Sequence, residues 1–412
     1  MKVRIEKIDP IDFFLKLSKE RNVCFLHSCT KDGWKSIIAF NPDKKLTGDK
    51  VSPKKLQEFI DQNQKNLIIG YISYEYGVKL HKIRIKTKND LKTPKINFNS
   101  FENYIEFFNN KTVINYKKKG YLKLFEEILN RRGEKFTSLA SKNFKAELSQ
   151  ADYVNAYKKI KKHIKQGDIY QINLTHRLKA KSNIPAKSLF KKIINYNPVG
   201  FLAYIEGKGF EILSASPERF VKIKKNNIFT TPIKGTRPRF QDIKKDKASL
   251  KKLINSEKEA SELNMITDLL RNDIGKISKI GSIKLQGTRL IQKCPKVWHT
   301  YSKINSKLNK DIHPIEALLD LLPGGSISGC PKKRALEVIN EVEQSQRGVY
   351  TGIVGYIKGY EDMDFNIAIR TILKRGKDLY LSVGGGIVYD SKDKAELKET
   401  YEKAASFMKI LC

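Results

Sequence analysis

Short apolar runs separated by basic turns dominate the first third of this chain, and runs that short suit strands better than helices. They fall at 23–28, 36–40, 67–74, 104–108 and 112–116, with one helical stretch at 121–132. Residues 133–150 are polar and rich in Lys and Ser and read as a linker. A helix follows from Asp152, with Tyr153, Ala156, Tyr157, Ile160 and Ile164 on one face and Gly167 as its stop. Strands are expected at 169–174, 201–205, 211–214 and 220–223. Segment 241–258 shows no clean periodicity, and the chain should be helical by 266–270. Helices at 314–321 and 332–343 flank a glycine-rich loop at 323–330. Strands at 350–358, 366–373 and 379–383 precede a glycine run and a last helix at 394–411. Strands and helices in this mixed order predict an α+β fold with large antiparallel sheets flanked by helices. The expected division is 1–145 and 150–412.

Composition narrows the class. A chain of 412 residues with 40% hydrophobic content, 20 Phe and 18 Tyr has ample material for a core. No run of about 18 uncharged apolar residues occurs, so no membrane span is expected. The N-terminus is charged throughout and does not read as a signal peptide. Cys24, Cys29, Cys294, Cys330 and Cys412 lack metal-type spacing, which suits reduced thiols and a cytoplasmic location. The formal charge of +36 raises the alternative of a nucleic-acid binder. The lysines are dispersed, however, and no nucleic-acid module is present, so no specific nucleic acid is expected. A basic surface would also draw in an anionic substrate.

Within this frame, Thr231-Pro-Ile-Lys-Gly-Thr-Arg-Pro-Arg239 reads as a strand running into a turn, with two prolines fixing the backbone and Gly235 letting it bend. A lysine held there suits a nucleophile or base; the plainer reading is a strand-end lysine reaching solvent. Segment 323–333 has two glycines at P-loop spacing, but Cys330 and Pro331 replace the required Lys and hydroxyl, so it is not a nucleotide site. It could still offer backbone amides and the hydroxyls of Ser326 and Ser328 to a carboxylate. Gly384, Gly385 and Gly386 would let a ligand approach the backbone. Glu396 and Glu399 share a helix face with Lys403, and Glu262 stands on a largely apolar helix. Three carboxylates meeting would suit Mg²⁺; singly, each is more simply a solvated helix face.

The order of these segments resembles the chorismate-utilising enzymes. Tyr170-Gln-Ile-Asn-Leu-Thr175, Ser216-Pro-Glu-Arg-Phe220, Pro232-Ile-Lys-Gly-Thr236, Asp268-Leu-Leu-Arg-Asn-Asp273 and Pro323-Gly-Gly-Ser-Ile-Ser-Gly329 carry the likeness. Gly352-Ile-Val-Gly-Tyr356, Ile369-Arg-Thr371, Gly384-Gly-Gly-Ile-Val388 and Glu396-Leu-Lys-Glu-Thr400 continue it over about 150–412, with a looser match before. Pro-Ile-Lys-Gly-Thr resembles the aminodeoxychorismate synthase branch, component I; the anthranilate synthase branch, the alternative, usually has Ala where Lys234 stands. Gln171 occupies the place of the water-activating lysine of isochorismate and salicylate synthases.

The resemblance implies an enzyme that adds ammonia to chorismate, with Lys234 as nucleophile, Glu218 as general acid and then base, and His299 as an electrostatic or proton-handling group. It implies Mg²⁺ held by Glu262, Glu396 and Glu399. Gly384, Gly386 and Lys403 would assist at the ring carboxylate, Tyr350 and Arg370 would hold the enolpyruvyl carboxylate, and Thr236 would flank the ring. No Gly-x-Cys-x-Gly nucleophile elbow occurs, so ammonia would be free or come from a separate glutaminase subunit. Cys330, Trp298 and Asn264 depart from the family pattern.

Overall fold

The computed structural model describes residues 1–133 and 141–411. Its strands build one 12-stranded and one 10-stranded sheet, with antiparallel pairing throughout the described strand pairs. In the first sheet Cys24–His27 pairs with Phe201–Gly207, which leads through Phe210–Ser216 and Thr371–Arg375 to Asp378–Ile387 and Gln171–Ser182. In the second, Ile233–Pro238 lies at one edge beside Val297–Lys307, and Leu67–Ile72 pairs with Ile353–Lys358. Both sheets therefore cross the boundary expected near 145–150.

Side-chain alternation explains why the strands are so apolar. Leu26 and Ile37 join Leu67, Ile69 and Tyr71 in a core between the two sheets, whereas Phe25 and Ile38 pack with Phe13, Phe14 and Phe190 of outer helices. On the other side, Ile68 and Ile72 pack with Tyr153, Ile160 and Ile266. Helices thus cover the outer faces of two stacked sheets. A strand buried on both faces reads as a continuous apolar run, and this is how the α+β expectation comes to hold.

Several expected elements change. The 133–150 linker contains the strand Ser141–Ala146, which pairs with Gln171–Ser182, while 134–140 lie outside the described residues. Segment 241–258 forms the helix Ile243–Ile254 and the start of Glu257–Gly275; their N-caps are Asp242 and Ser256, and lysines on the exposed face hide the periodicity. The strand expected at 366–373 breaks into Asp362–Ile367 and Thr371–Arg375, because Arg370 adopts φ 52°. The strand at 67–74 stops at Ile72, and Ser73 caps a short helix instead. The glycine run belongs to the strand Asp378–Ile387 rather than following it. Lys284–Lys293 and Val297–Lys307 form a long hairpin arm that periodicity did not reveal. Cys24, Cys29, Cys294 and Cys330 are unpaired, and Cys412 lies outside the described residues. No helix of the described residues is long and apolar enough to cross a membrane.

Candidate active site

A cavity of about 820 Å³ opens where the Ile233–Pro238 and Asp378–Ile387 strands meet the helices Glu257–Gly275 and Asp393–Met408. Lys234, Glu218, His299, Thr236, Tyr350, Arg370, Gly384, Gly386, Glu262, Glu399 and Lys403 all line it. Glu396 does not line it: its carboxylate is buried behind Gly385, where a Cβ would lie 3.4 Å from Oε2, and it accepts a 2.6 Å hydrogen bond from the Ser391 hydroxyl.

The strand carrying Lys234 is irregular in a way that serves the site. Gly235 has φ 76°, and the pairing with Val297–Lys307 slips between Lys234 and Thr236. A side chain at Gly235 would be strained and would come 2.8 Å from Thr300 Oγ1. The Thr300 hydroxyl donates to the Lys234 carbonyl. The Lys234 amine reaches across to Gly386, where a Cβ would lie 3.8 Å from Nζ.

Glu218 sits on the bend between Phe210–Ser216 and Arg219–Lys224, held by a 3.2 Å hydrogen bond from its N–H to Ser216 Oγ. Burial pushes its carboxyl up to about 7, although Ser326, the Lys234 charge and the Ile233 N–H pull the other way. The Ser326 hydroxyl lies near enough to ease ionisation yet makes no hydrogen bond of standard geometry. Ser328, by contrast, is consumed by the fold, donating to the Gly324 carbonyl at 2.8 Å. The two serines offered for a carboxylate therefore part ways.

His299 is 1% exposed, and burial, assisted by the Arg370 charge, lowers it to about 3, so the ring is neutral at physiological pH. Its Nδ1 is 2.9 Å from Thr236 Oγ1, while the buried Nε2 has no hydrogen-bond partner among the described residues. Arg370 is half-buried, and burial holds its guanidinium below the usual range. Among the described residues no carboxylate pairs with it. Burial likewise pushes the Tyr350 phenol up. A guanidinium with no carboxylate partner and a neutral phenol lining the same cavity suit an anion.

The acids lie between two helices. Glu399 is 2.8 Å from Lys403, whose amine also donates to the Gly384 carbonyl at 3.0 Å. Burial pushes the Glu399 carboxyl up, but Lys403, Lys258 and Lys234 outweigh it and leave it below its usual range. Among the described residues no three acidic, His or Cys side chains already close into a metal cage. An ammonium, that of Lys258, lies 3.8 Å from Glu262 and 3.9 Å from Glu396, so positive charge is held between carboxylates there. Oxygen-only donors around a cation position fit Mg²⁺, which also takes water and substrate oxygens.

Sequence reasoning missed Lys258, Glu259 and Arg237. Glu259 lines the cavity one turn before Glu262 and pairs with Arg237 at 2.6 Å. The i, i+3 spacing of Glu259 and Glu262 was the available signal. Of the departures, Asn264 is exposed, which accounts for its polarity. Trp298 stays off the cavity, donating to Asp246 at 2.9 Å beneath Arg239. Cys330 is half-buried against the core beside Gln171.

Lys234 and Arg370, which make no salt bridge among the described residues, thus share one cavity with the buried Glu218. The chorismate binding enzyme family matches residues 7–409, and the chain is a member of it: a chorismate-utilising enzyme. It is 32% identical to aminodeoxychorismate synthase component 1 of Bacillus subtilis over 358 residues, covering 83% of this chain and 76% of that one. It is 30% identical to anthranilate synthase component 1 of Lactococcus lactis, covering 99% and 98%. Among solved structures it is similar to anthranilate synthase component I of Streptococcus pneumoniae, with a TM-score of 0.81 and 26% identity over 92% of this chain and 93% of the other. The menaquinone-specific isochorismate synthase of Escherichia coli shares the fold, with a TM-score of 0.80 at 17% identity, covering 100% and 94%.

Proposed function

We propose that this enzyme aminates chorismate at C4 to give 4-amino-4-deoxychorismate, as component I of an aminodeoxychorismate synthase supplied with ammonia by a separate glutaminase subunit. The observation that carries this reading is Lys234 itself, an amine directed into the cavity near a buried acid. In the anthranilate synthase branch, alanine usually stands there.

Chorismate is a dianion, and the cavity offers it two ends. Arg370 and Tyr350 suit the enolpyruvyl carboxylate; Lys403 and the backbone around Gly384 and Gly386 suit the ring carboxylate. Mg²⁺ held by Glu262, Glu396 and Glu399 would, when bound, supply positive charge at that second end. Lys234, as the free amine, attacks C2 while the ring π bonds shift and the C4 hydroxyl leaves. Glu218 gives that hydroxyl its proton, so water departs. Ammonia then adds at C4, the π bonds shift back and the lysine amine leaves C2. Glu218, now ionised, accepts a proton from the incoming nitrogen. The balance is chorismate plus ammonia giving aminodeoxychorismate plus water. Neutral His299 and Thr236 flank the ring, and Gln171 brings no base to activate water.

The test is product identity. Chorismate, ammonium and Mg²⁺ should yield a product that becomes 4-aminobenzoate only when aminodeoxychorismate lyase is added. Direct formation of anthranilate and pyruvate would overturn the proposal in favour of anthranilate synthase, the activity named for one relative that this chain matches along nearly its whole length.

A further inference from the structure

The acids on the two helices beside the cavity have cations, but the pairs are not alike. Glu259 is held by Arg237 at 2.6 Å and Glu399 by Lys403 at 2.8 Å, both at hydrogen-bond distance. Lys258 stands apart, at 3.8 Å from Glu262 and 3.9 Å from Glu396, touching both and bonded closely to neither. Its side chain is 59% exposed, whereas that of Glu396 is 4% exposed. Among the described residues no other cation pairs with Glu396, whose remaining partner is the Ser391 hydroxyl at 2.6 Å. A buried carboxylate of this kind needs a positive partner. Lys258 supplies one from a flexible stem that starts at the solvent edge of the first turn of Glu257–Gly275.

We infer that Lys258 is an exchangeable counter-ion, competing with a divalent cation for Glu262 and Glu396 and swinging into solvent when the cation binds. The inference rests on the Mg²⁺ assignment above and adds a regulatory consequence. The apparent affinity for the metal is set partly by an internal ammonium, and metal entry frees the first turn of a helix that borders the cavity mouth. Arg237 and Lys403 do not compete in the same way. Their closer contacts, and the Lys403 bond to Gly384, hold them in place.

The experiment uses the full chain and Mn²⁺ or Mg²⁺ alone, read by calorimetry, together with the acetylation rate of Lys258 read by mass spectrometry. Lys258→Gln should bind the cation about fivefold more tightly than wild type, the scale on which partly exposed ion pairs compete. In the wild type, saturating Mg²⁺ should raise the labelling rate of Lys258 severalfold. Lys251→Gln, an exposed lysine on the preceding helix, controls for the loss of one positive charge and should leave the affinity unchanged. If wild type binds no divalent cation, the metal assignment itself falls. If wild type binds it but Lys258→Gln binds equally or more weakly, and labelling does not respond, the counter-ion role is overturned while the metal assignment stands. A matched gain in Lys251→Gln would also overturn it, leaving only a general field effect.

Discussion

Glu218 ties the proposed chemistry to a measurable cost. As the proposed general acid it must be protonated, and burial that raises it to about 7 keeps about half of it so at pH 7. The same burial penalises folding. Below the unfolded value of 4.5 both states carry the proton. Between 4.5 and about 7 the unfolded chain ionises first and stability falls; above that the penalty is constant. Glu218→Gln should therefore gain stability over wild type at pH 8, relative to pH 4, by on the order of 3 kcal/mol, read from denaturant midpoints. It should also lose the activity limb near neutrality. His299, lowered to about 3, contributes no such limb, and a His299→Asn enzyme should keep it. Lys234→Ala tests the partner group: a rate lower by about 10²–10⁴, with some product aminated at C2. An unchanged rate and product would leave Lys234 as an electrostatic bystander.

At the scale of elements, the segment between the helix Lys332–Val342 and the strand Ile353–Lys358 is pinned by Arg347. This residue is 3% exposed and donates to Glu343 at 2.7 Å, to the Asn173 carbonyl at 2.7 Å and to the Ile327 carbonyl at 2.9 Å. Glu343 in turn accepts from the Thr175 N–H at 3.0 Å. One ion pair thus joins the strand Gln171–Ser182, the serine loop and the turn bearing Tyr350. Arg347→Met should strand Glu343 without its partner and cost about 3–5 kcal/mol, measured by chemical unfolding. A loss below about 1 kcal/mol would show that the network is not integral to the fold. The bulged strand Ile233–Pro238 makes a second case. Gly235→Ala forces a left-handed residue against Thr300, which should cost about 1–2 kcal/mol. By shifting the neighbouring Lys234 it should lower kcat more than it raises KM. An effect on KM alone would argue against that coupling.

For the whole molecule, the +36 charge acts at long range on a dianionic substrate. Raising salt from about 0.02 M to 0.5 M shortens the screening length from roughly 20 Å to about 4 Å. KM for chorismate should rise severalfold with kcat nearly constant. A flat KM would mean that the dispersed lysines do not steer the substrate. The large sheets also tie the two halves of the chain together, since Cys24–His27 and Leu67–Ile72 each pair with a strand from beyond residue 200.

The sequence by itself carried the information that is local or written as motifs. Apolar runs of strand length point to the α+β class, and Pro-Ile-Lys-Gly-Thr, Ser-Pro-Glu-Arg and Glu-Leu-Lys-Glu mark Lys234, Glu218 and the acids of the last helix. Elements with exposed or strongly basic faces were hidden, as with Ile243–Ile254 and the hairpin arm at 284–307, because periodicity reports only the contrast between a buried and a solvated face. Whatever depends on contacts between distant segments needed the tertiary structure. Proximity made the pairing of Glu259 with Arg237 and the bridging position of Lys258, and burial raised the titration of Glu218 and lowered that of His299. It also sent Glu396 behind Gly385 while Glu399, three residues on, faces the cavity. Spacing places two glutamates on one helix face; only the strand packed against that face decides which of them the cavity reaches.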